Sequence, residues 1–303
     1  MATHESYFVT TLHEVRTTIF SKIRDYAQLG KMRLSLTVVF SAGMAFLIAS
    51  EGAVHWGSFI ALCIGGLLIT LSANSVNQIL EINYDAIMRR TENRPLPAKR
   101  MDSDEAMVFA ILFGLLGFLA LSMGTNYLAG IIGLISHLLY SFVYTPLKRK
   151  GPLAVFAGAV PGALPTIIGW AAATNYIGVG GLALFVIQFF WQLPHFWAIA
   201  WVAYEDYTKA GYRLMPHSGE RNKSSAVEIM LYTMVLIPLS FLPEYLGICG
   251  RGATIAVLIA SILYLYQAVI LYRKTSSKSA LKLMFASFLY LPIVLLAIWI
   301  DKI

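Results

Sequence analysis

Long apolar stretches, each about twenty residues and almost free of charge, alternate with short polar breaks along nearly the whole chain. That is the length a helix needs to cross a hydrocarbon core of about 30 Å. Nine such runs fall near residues 34–49, 56–80, 106–123, 128–144, 153–173, 179–200, 226–246, 253–271 and 283–300. The pattern predicts an all-α polytopic membrane protein. Residues 1–30 read as a cytoplasmic arm, partly an amphipathic helix on the membrane surface. Residues 31–303 read as one transmembrane domain of nine helices around a central cavity.

Composition agrees: 58% of the 303 residues are apolar and the mean hydropathy is +0.68, too greasy for a soluble globule. A net charge of +7 would suggest nucleic acid in a soluble protein, but here the placement of the charges excludes that partner and points to membrane lipid. Of the 23 Lys and Arg, only Arg251 and Lys302 fall outside the N-terminal arm and the loops after the second, fourth, sixth and eighth spans. The positive-inside rule then places the N-terminus in the cytoplasm and the C-terminus outside. Cys63 and Cys249 are far apart and in no CxxC pair, so no disulfide is expected. The first 30 residues carry Glu5, Glu14 and Asp25 and match neither a cleaved signal nor a transit peptide.

The inner loops after spans two and six are long and polar, and each follows a span that ends in acids. Two spans after each acidic end comes a basic inner loop with an aromatic lead-in, YTPLKRK at 144–150 and YRKTSSKS at 272–279. This predicts two four-helix repeats plus one helix, with both acidic ends facing one cavity.

The chemistry concentrates in NQILEINYDAIMRRTENRPLP, residues 77–97. Asn77, Glu81 and Asp85 recur every four residues and form one stripe of oxygen ligands on a helix. Such hard ligands suit Mg2+, which also binds phosphate oxygens. Arg89 continues the stripe and Arg94 follows, cations of the kind a diphosphate requires; Arg90 fits a role in topology. In WQLPHFWAIAWVAYEDYTKAGYRLMP, residues 191–216, Glu205 and Asp206 are candidates for the same metal or a second one. Lys209 and Arg213 add charge there, Tyr207 and neighbouring aromatics can line a cavity, and His195 lies inside a span, where ionisable groups are costly and usually functional. In YTPLKRK, Tyr144, Lys148 and Arg149 can direct a hydroxyl and two cations at the diphosphate.

These three motifs closely resemble the haem-directed branch of the intramembrane aromatic prenyltransferase (UbiA) superfamily, from about residue 25 onward. In that superfamily the first acidic motif binds a prenyl diphosphate through Mg2+, which maps onto Asn77, Glu81 and Asp85, with Glu81 where most relatives have Asp. The second motif is sparser here than in relatives with small aromatic acceptors, and KMR at 31–33 replaces the usual Lys-Pro-Arg. The resemblance implies transfer of the farnesyl group of farnesyl diphosphate to the 2-vinyl group of haem B, with water addition, giving haem O and diphosphate. The residues themselves give Asn77, Glu81, Asp85, Arg89, Arg94, Lys148, Arg149 and Asp206 as the catalytic set, and with haem as the acceptor His195 is the candidate for orienting it, as an axial ligand or through a hydrogen bond. A cytoplasmic (inner) membrane location and a haem A synthase or terminal oxidase as partner follow from the same likeness. Two alternatives stay open: prenylation of a quinone precursor or chlorin, and a transporter.

Overall fold

Nine helices long and apolar enough to span a bilayer form the described part of the protein, residues 20–217 and 219–303 of a computed structural model. The first six are Met32–Ala49, Trp56–Leu80, Ser103–Gly124, Tyr127–Leu147, Leu153–Thr174 and Val179–Val202. Lys223–Tyr245, Arg251–Lys274 and Ser277–Ile300 complete them. Residues 20–29 form a further helix that runs into the first span through a tight turn at Gly30 and Lys31. The rest of the expected arm, residues 1–19, lies outside the described residues.

Local chemistry sets the ends. Asn126, Asn222 and Ser276 each accept a backbone N–H three residues on and so start the fourth, seventh and ninth spans. The ninth begins at Ser277, six residues before the apolar run at 283, because the Ser276 cap starts the helix inside the basic loop and Lys278 and Lys282 ride on its first turns. The seventh is interrupted after Met234 and again after Leu239, where Pro238 and Pro243 remove backbone donors. The fourth span changes to a π-helix over Leu139–Tyr144 before a last turn at Thr145–Leu147. Such wide turns occur where a side chain must be re-aimed, and this one carries Tyr140 and Tyr144 toward the site.

Small residues let the helices meet closely. A Cβ on Gly117 would strike the Ile69 backbone, and one on Gly169 would strike the Ala42 carbonyl, so spans two and three, and one and five, touch backbone to backbone. The main core gathers Trp197, Trp201, Leu193, Tyr264 and Leu295. Outside, Ile64, Leu115, Ile131, Ile259 and Leu289 stay exposed, as lipid contact demands. At the end of the molecule opposite the basic loops the Asp301 carboxylate accepts the Ala253 N–H at the start of span eight, and Lys302 Nζ donates to the Leu47 and Ser50 carbonyls at the end of span one. A single bridge between Cys249 and Lys302 is the only β-type pairing among the described residues.

Candidate active site

The second span carries Asn74, Asn77 and Gln78 on its last two turns, all buried, and ends at Leu80. Glu81 then adopts φ −111° and ψ 10°, which breaks the helix, and Ile82–Asp85 is a separate turn. The expected stripe therefore does not run along one continuous helix. Asn77, Glu81 and Asp85 are nevertheless buried together at 0%, 2% and 1% exposure. Arg89 lies beyond the break, exposed and without an ion pair among the described residues.

Each polar group in this cluster is held by a partner from elsewhere in the chain. Asn77 donates from Nδ2 to Glu81 Oε2 at 2.9 Å and to Thr145 Oγ1 at 3.0 Å, and its Oδ1 accepts from Lys31 Nζ at 2.6 Å. The Glu81 carboxylate pairs with Lys148 Nζ at 2.5 Å and accepts the Tyr212 hydroxyl at 3.1 Å. Asp85 pairs with Arg94 at 2.6 Å. The Tyr144 ring lies 5.2 Å from Lys148 Nζ, a cation–π contact on its other side.

Three cations, Lys31, Arg94 and Lys148, thus surround two carboxylates in a place shielded from water. Burial by itself would raise the Glu81 carboxyl, but the charge and hydrogen bond of Lys148, with Lys31 and Tyr212 behind them, hold it below its ordinary range. Burial lowers the Lys31 ammonium well below the usual lysine value, and the nearby charges of Arg94 and Lys148 add to this. Three basic side chains against two carboxylates leave room for an anion, and a bound anion would favour the charged form of Lys31.

The backbone that delivers Lys31 is held by the second span. Gln78 Nε2 donates to the Gln28 and Leu29 carbonyls at 2.8 and 2.6 Å, and Asn74 Nδ2 to the Gly30 carbonyl at 3.2 Å. Lys31 itself sits at φ 50°, in the left-handed region. Lys31, Thr145, Tyr212 and Tyr140, whose hydroxyl donates to Asn74, were not singled out by the sequence motifs. The KMR segment at 31–33 is the one signal that could have found Lys31.

The second acidic motif is divided. Asp206 Oδ2 accepts the Arg90 backbone N–H at 3.2 Å, and the Arg90 guanidinium lies 5.7 Å from the Tyr207 ring, so this motif does meet the first. It is Arg90, assigned above to topology, that makes the junction instead of Arg89, through its backbone N–H and its guanidinium. Glu205 is 73% exposed and pairs with Arg221 at 2.8 Å, away from Glu81 and Asp85. Lys209 and Arg213 are exposed and make no ion pair among the described residues. Arg149 donates to the Leu80 carbonyl at 2.7 Å and lies over the Tyr84 ring, so it caps the second span. His195 is in the sixth span, between Trp191 and the ninth span, apart from the acidic cluster.

Among the described residues no three His, Cys, Asp or Glu side chains come together as a ready metal cage. What Asn77, Glu81 and Asp85 offer is one amide and two carboxylates, a hard-oxygen set that fits Mg2+, which commonly takes one or two carboxylates and completes its shell with water and phosphate.

Comparisons with known proteins give the family and the fold. Residues 38–291 match the UbiA prenyltransferase family. The protoheme IX farnesyltransferase of Cytophaga hutchinsonii is 47% identical over 93% of this chain and 99% of its own length. That of Christiangramia forsetii is 39% identical over 97% of each chain. The mitochondrial protoheme IX farnesyltransferase of Arabidopsis thaliana is 33% identical over 92% of this chain and 65% of its own. A digeranylgeranylglyceryl phosphate synthase structure superposes with a TM-score of 0.76 at 22% identity, covering 93% of this chain and 98% of that one. A UbiA homolog from Archaeoglobus fulgidus bound to GPP and Mg2+ superposes with a TM-score of 0.64 at 16% identity, covering 90% and 99%. With nine membrane helices, a buried cluster suited to an anion and these relatives, the chain belongs to the UbiA prenyltransferase family.

Proposed function

We propose that this protein transfers the farnesyl group of farnesyl diphosphate to the 2-vinyl group of haem B, with water addition, to give haem O and diphosphate. The observation that carries the reaction type is the gathering of half-buried Lys31, Arg94 and Lys148 around buried Asn77, Glu81 and Asp85. The acceptor rests on the relatives, which bear the name protoheme IX farnesyltransferase over nearly the whole chain.

Asn77, Glu81 and Asp85 would hold Mg2+, which supplies Lewis-acid neutralisation of diphosphate oxygens as the allylic C–O bond breaks. Lys148 and Arg94, paired here with Glu81 and Asp85, are the cations placed to neutralise a diphosphate held beside those carboxylates. Lys31 completes that set from the opposite side through Asn77. Stabilisation of the leaving diphosphate by these preorganised cations is the main catalytic contribution. Asp206 holds the Arg90 backbone, and Arg89 and Arg149 in the same basic region add attraction for the incoming anion. Aromatic rings of Tyr144, Tyr207 and Tyr212 border the same site, suited to an allylic cation. The vinyl group attacks that cation, and water captures the porphyrin-conjugated cation that results, with loss of a proton. His195 is the residue nearest in kind to a haem contact.

The basic loops beside the site support a reading in which it lies at the cytoplasmic face of the inner membrane, with the C-terminus outside. Membrane extracts from cells expressing the chain test the reading. Haem O should accumulate with the wild-type chain and not with Asp85→Ala; a prenylated quinone precursor with no haem O would overturn the acceptor.

A further inference from the structure

Two asparagines of the second span, Asn74 and Asn77, are buried with every polar atom of their side chains engaged. An amide turned end for end keeps its shape, so its partners decide which end is which. For Asn77 they leave one answer. The Thr145 hydroxyl gives its single proton to the Tyr140 carbonyl at 2.9 Å, so it can only accept, and the Glu81 carboxylate is an acceptor too. Both meet the Asn77 nitrogen, at 3.0 and 2.9 Å. Lys31 Nζ, which can only donate, meets the oxygen at 2.6 Å. Turned over, the amide would set its NH2 group against an ammonium and its oxygen against a carboxylate, where burial keeps water from relieving either clash.

Asn74 is fixed by the same logic. Ser35 Oγ gives its proton to the Gly30 carbonyl at 2.8 Å and so accepts from Asn74 Nδ2 at 3.1 Å, beside the Gly30 carbonyl at 3.2 Å. The Asn74 oxygen is left for the Tyr140 hydroxyl at 3.2 Å. The two amides therefore grip the turn at Gly30 and Lys31, one by its backbone and the other by its side chain. Tyr140 and Thr145 brace both amides from the fourth span, and the π-helix is what lets them do so. Five residues apart on a regular α-helix, they would point about 140° away from each other. The wider turn, closed by the Thr145 N–H on the Tyr140 carbonyl, brings them to one face.

We infer that Tyr140 and Thr145 are positioning residues for the prenyl diphosphate: by fixing the Asn74 and Asn77 amides they set the reach of the Lys31 ammonium toward it. This rests on the diphosphate binding at the acidic cluster. Thr145 is the more exacting of the two. Val has the same branched shape and packs alike, but it cannot accept the Asn77 N–H, and the amide is then free to turn. A packing role would be met by Val, without a fully buried hydroxyl whose proton and lone pair are both committed.

The test is equilibrium binding of farnesyl thiolodiphosphate, an analogue that resists ionisation, to the purified full chain in phosphatidylcholine nanodiscs with Mg2+ and without haem. Thr145→Val should bind it about fivefold more weakly, the effect of one hydrogen bond, and Thr145→Ser should bind as wild type does. Tyr140→Phe should weaken binding by about two- to fivefold on the same ground. In a Lys31→Met background, which lacks the group being positioned, Thr145→Val should change the affinity by less than about twofold. A residue that only supports the fold would weaken that background by the same factor as wild type; this additive result overturns the inference, as does unchanged binding by Thr145→Val. Melting temperature shows which variants are folded, and if Thr145→Val is not, Tyr140→Phe in the two backgrounds decides by the same criterion. If wild type binds the analogue and the losses are additive, only the positioning role fails. If wild type shows no Mg2+-dependent binding at all, the diphosphate reading fails and the positioning role with it.

Discussion

Glu81 takes its partners from three other parts of the chain: Asn77 one turn before, Lys148 after the fourth span and Tyr212 after the sixth. Breaking one side of a buried pair leaves a bare charge, typically at a cost of about 3–5 kcal/mol. Lys148→Met should lower thermal stability in detergent by that order, and adding Glu81→Leu should recover most of it; additive losses would show that the pair is not coupled. The same carboxyl sets an acid limit. Its folded value lies below the ordinary 4.5, so its contribution is complete above about that pH and is lost as pH falls through the folded value. Melting temperature should hold from neutral pH down to about 5 and then drop, and Glu81→Gln should lack that drop. Tyr212→Phe removes one hydrogen bond to a charged group, worth about 1.5–3 kcal/mol, and should reduce turnover by about tenfold or more. Asn77, Glu81, Asp85, Arg94 and Lys148 were readable because polar residues beside apolar runs are conspicuous. Lys31 was not, since a left-handed turn at residue 31 and an amide clamp from another helix decide where its side chain goes.

At the level of elements, the apolar runs located all nine spans. The largest misplacement, the ninth, came from a Ser cap that starts the helix among lysines that a hydropathy reading excludes. The helix break at Glu81 was invisible for a related reason. No proline or glycine marks it, and it falls at a residue whose side chain is held by Lys148 and Tyr212 from distant parts of the chain. The junction at 28–31 gives a prediction of its own. Gln78→Ala releases two backbone carbonyls and loosens the delivery of Lys31, so KM for farnesyl diphosphate should rise several-fold with a smaller change in kcat. A fall in kcat alone would place Gln78 outside substrate binding.

For the whole molecule, charge asymmetry and site position support one another: the acidic cluster, Lys148 and the Asp206 motif all lie at the ends of spans that enter the basic loops. A reporter fused after Ile303 should be active only outside the cytoplasm, and cytoplasmic activity would reverse the orientation. The central claim is that the buried cations and carboxylates serve a metal-bound diphosphate whose prenyl group goes to haem. Diphosphate release by the purified protein, measured with farnesyl diphosphate while Mg2+ and haem B are each supplied or withheld, tests it most directly. Release should require both, match haem O formed one for one, and vanish in Asp85→Ala. Sustained release without Mg2+, or without any haem O, would contradict it.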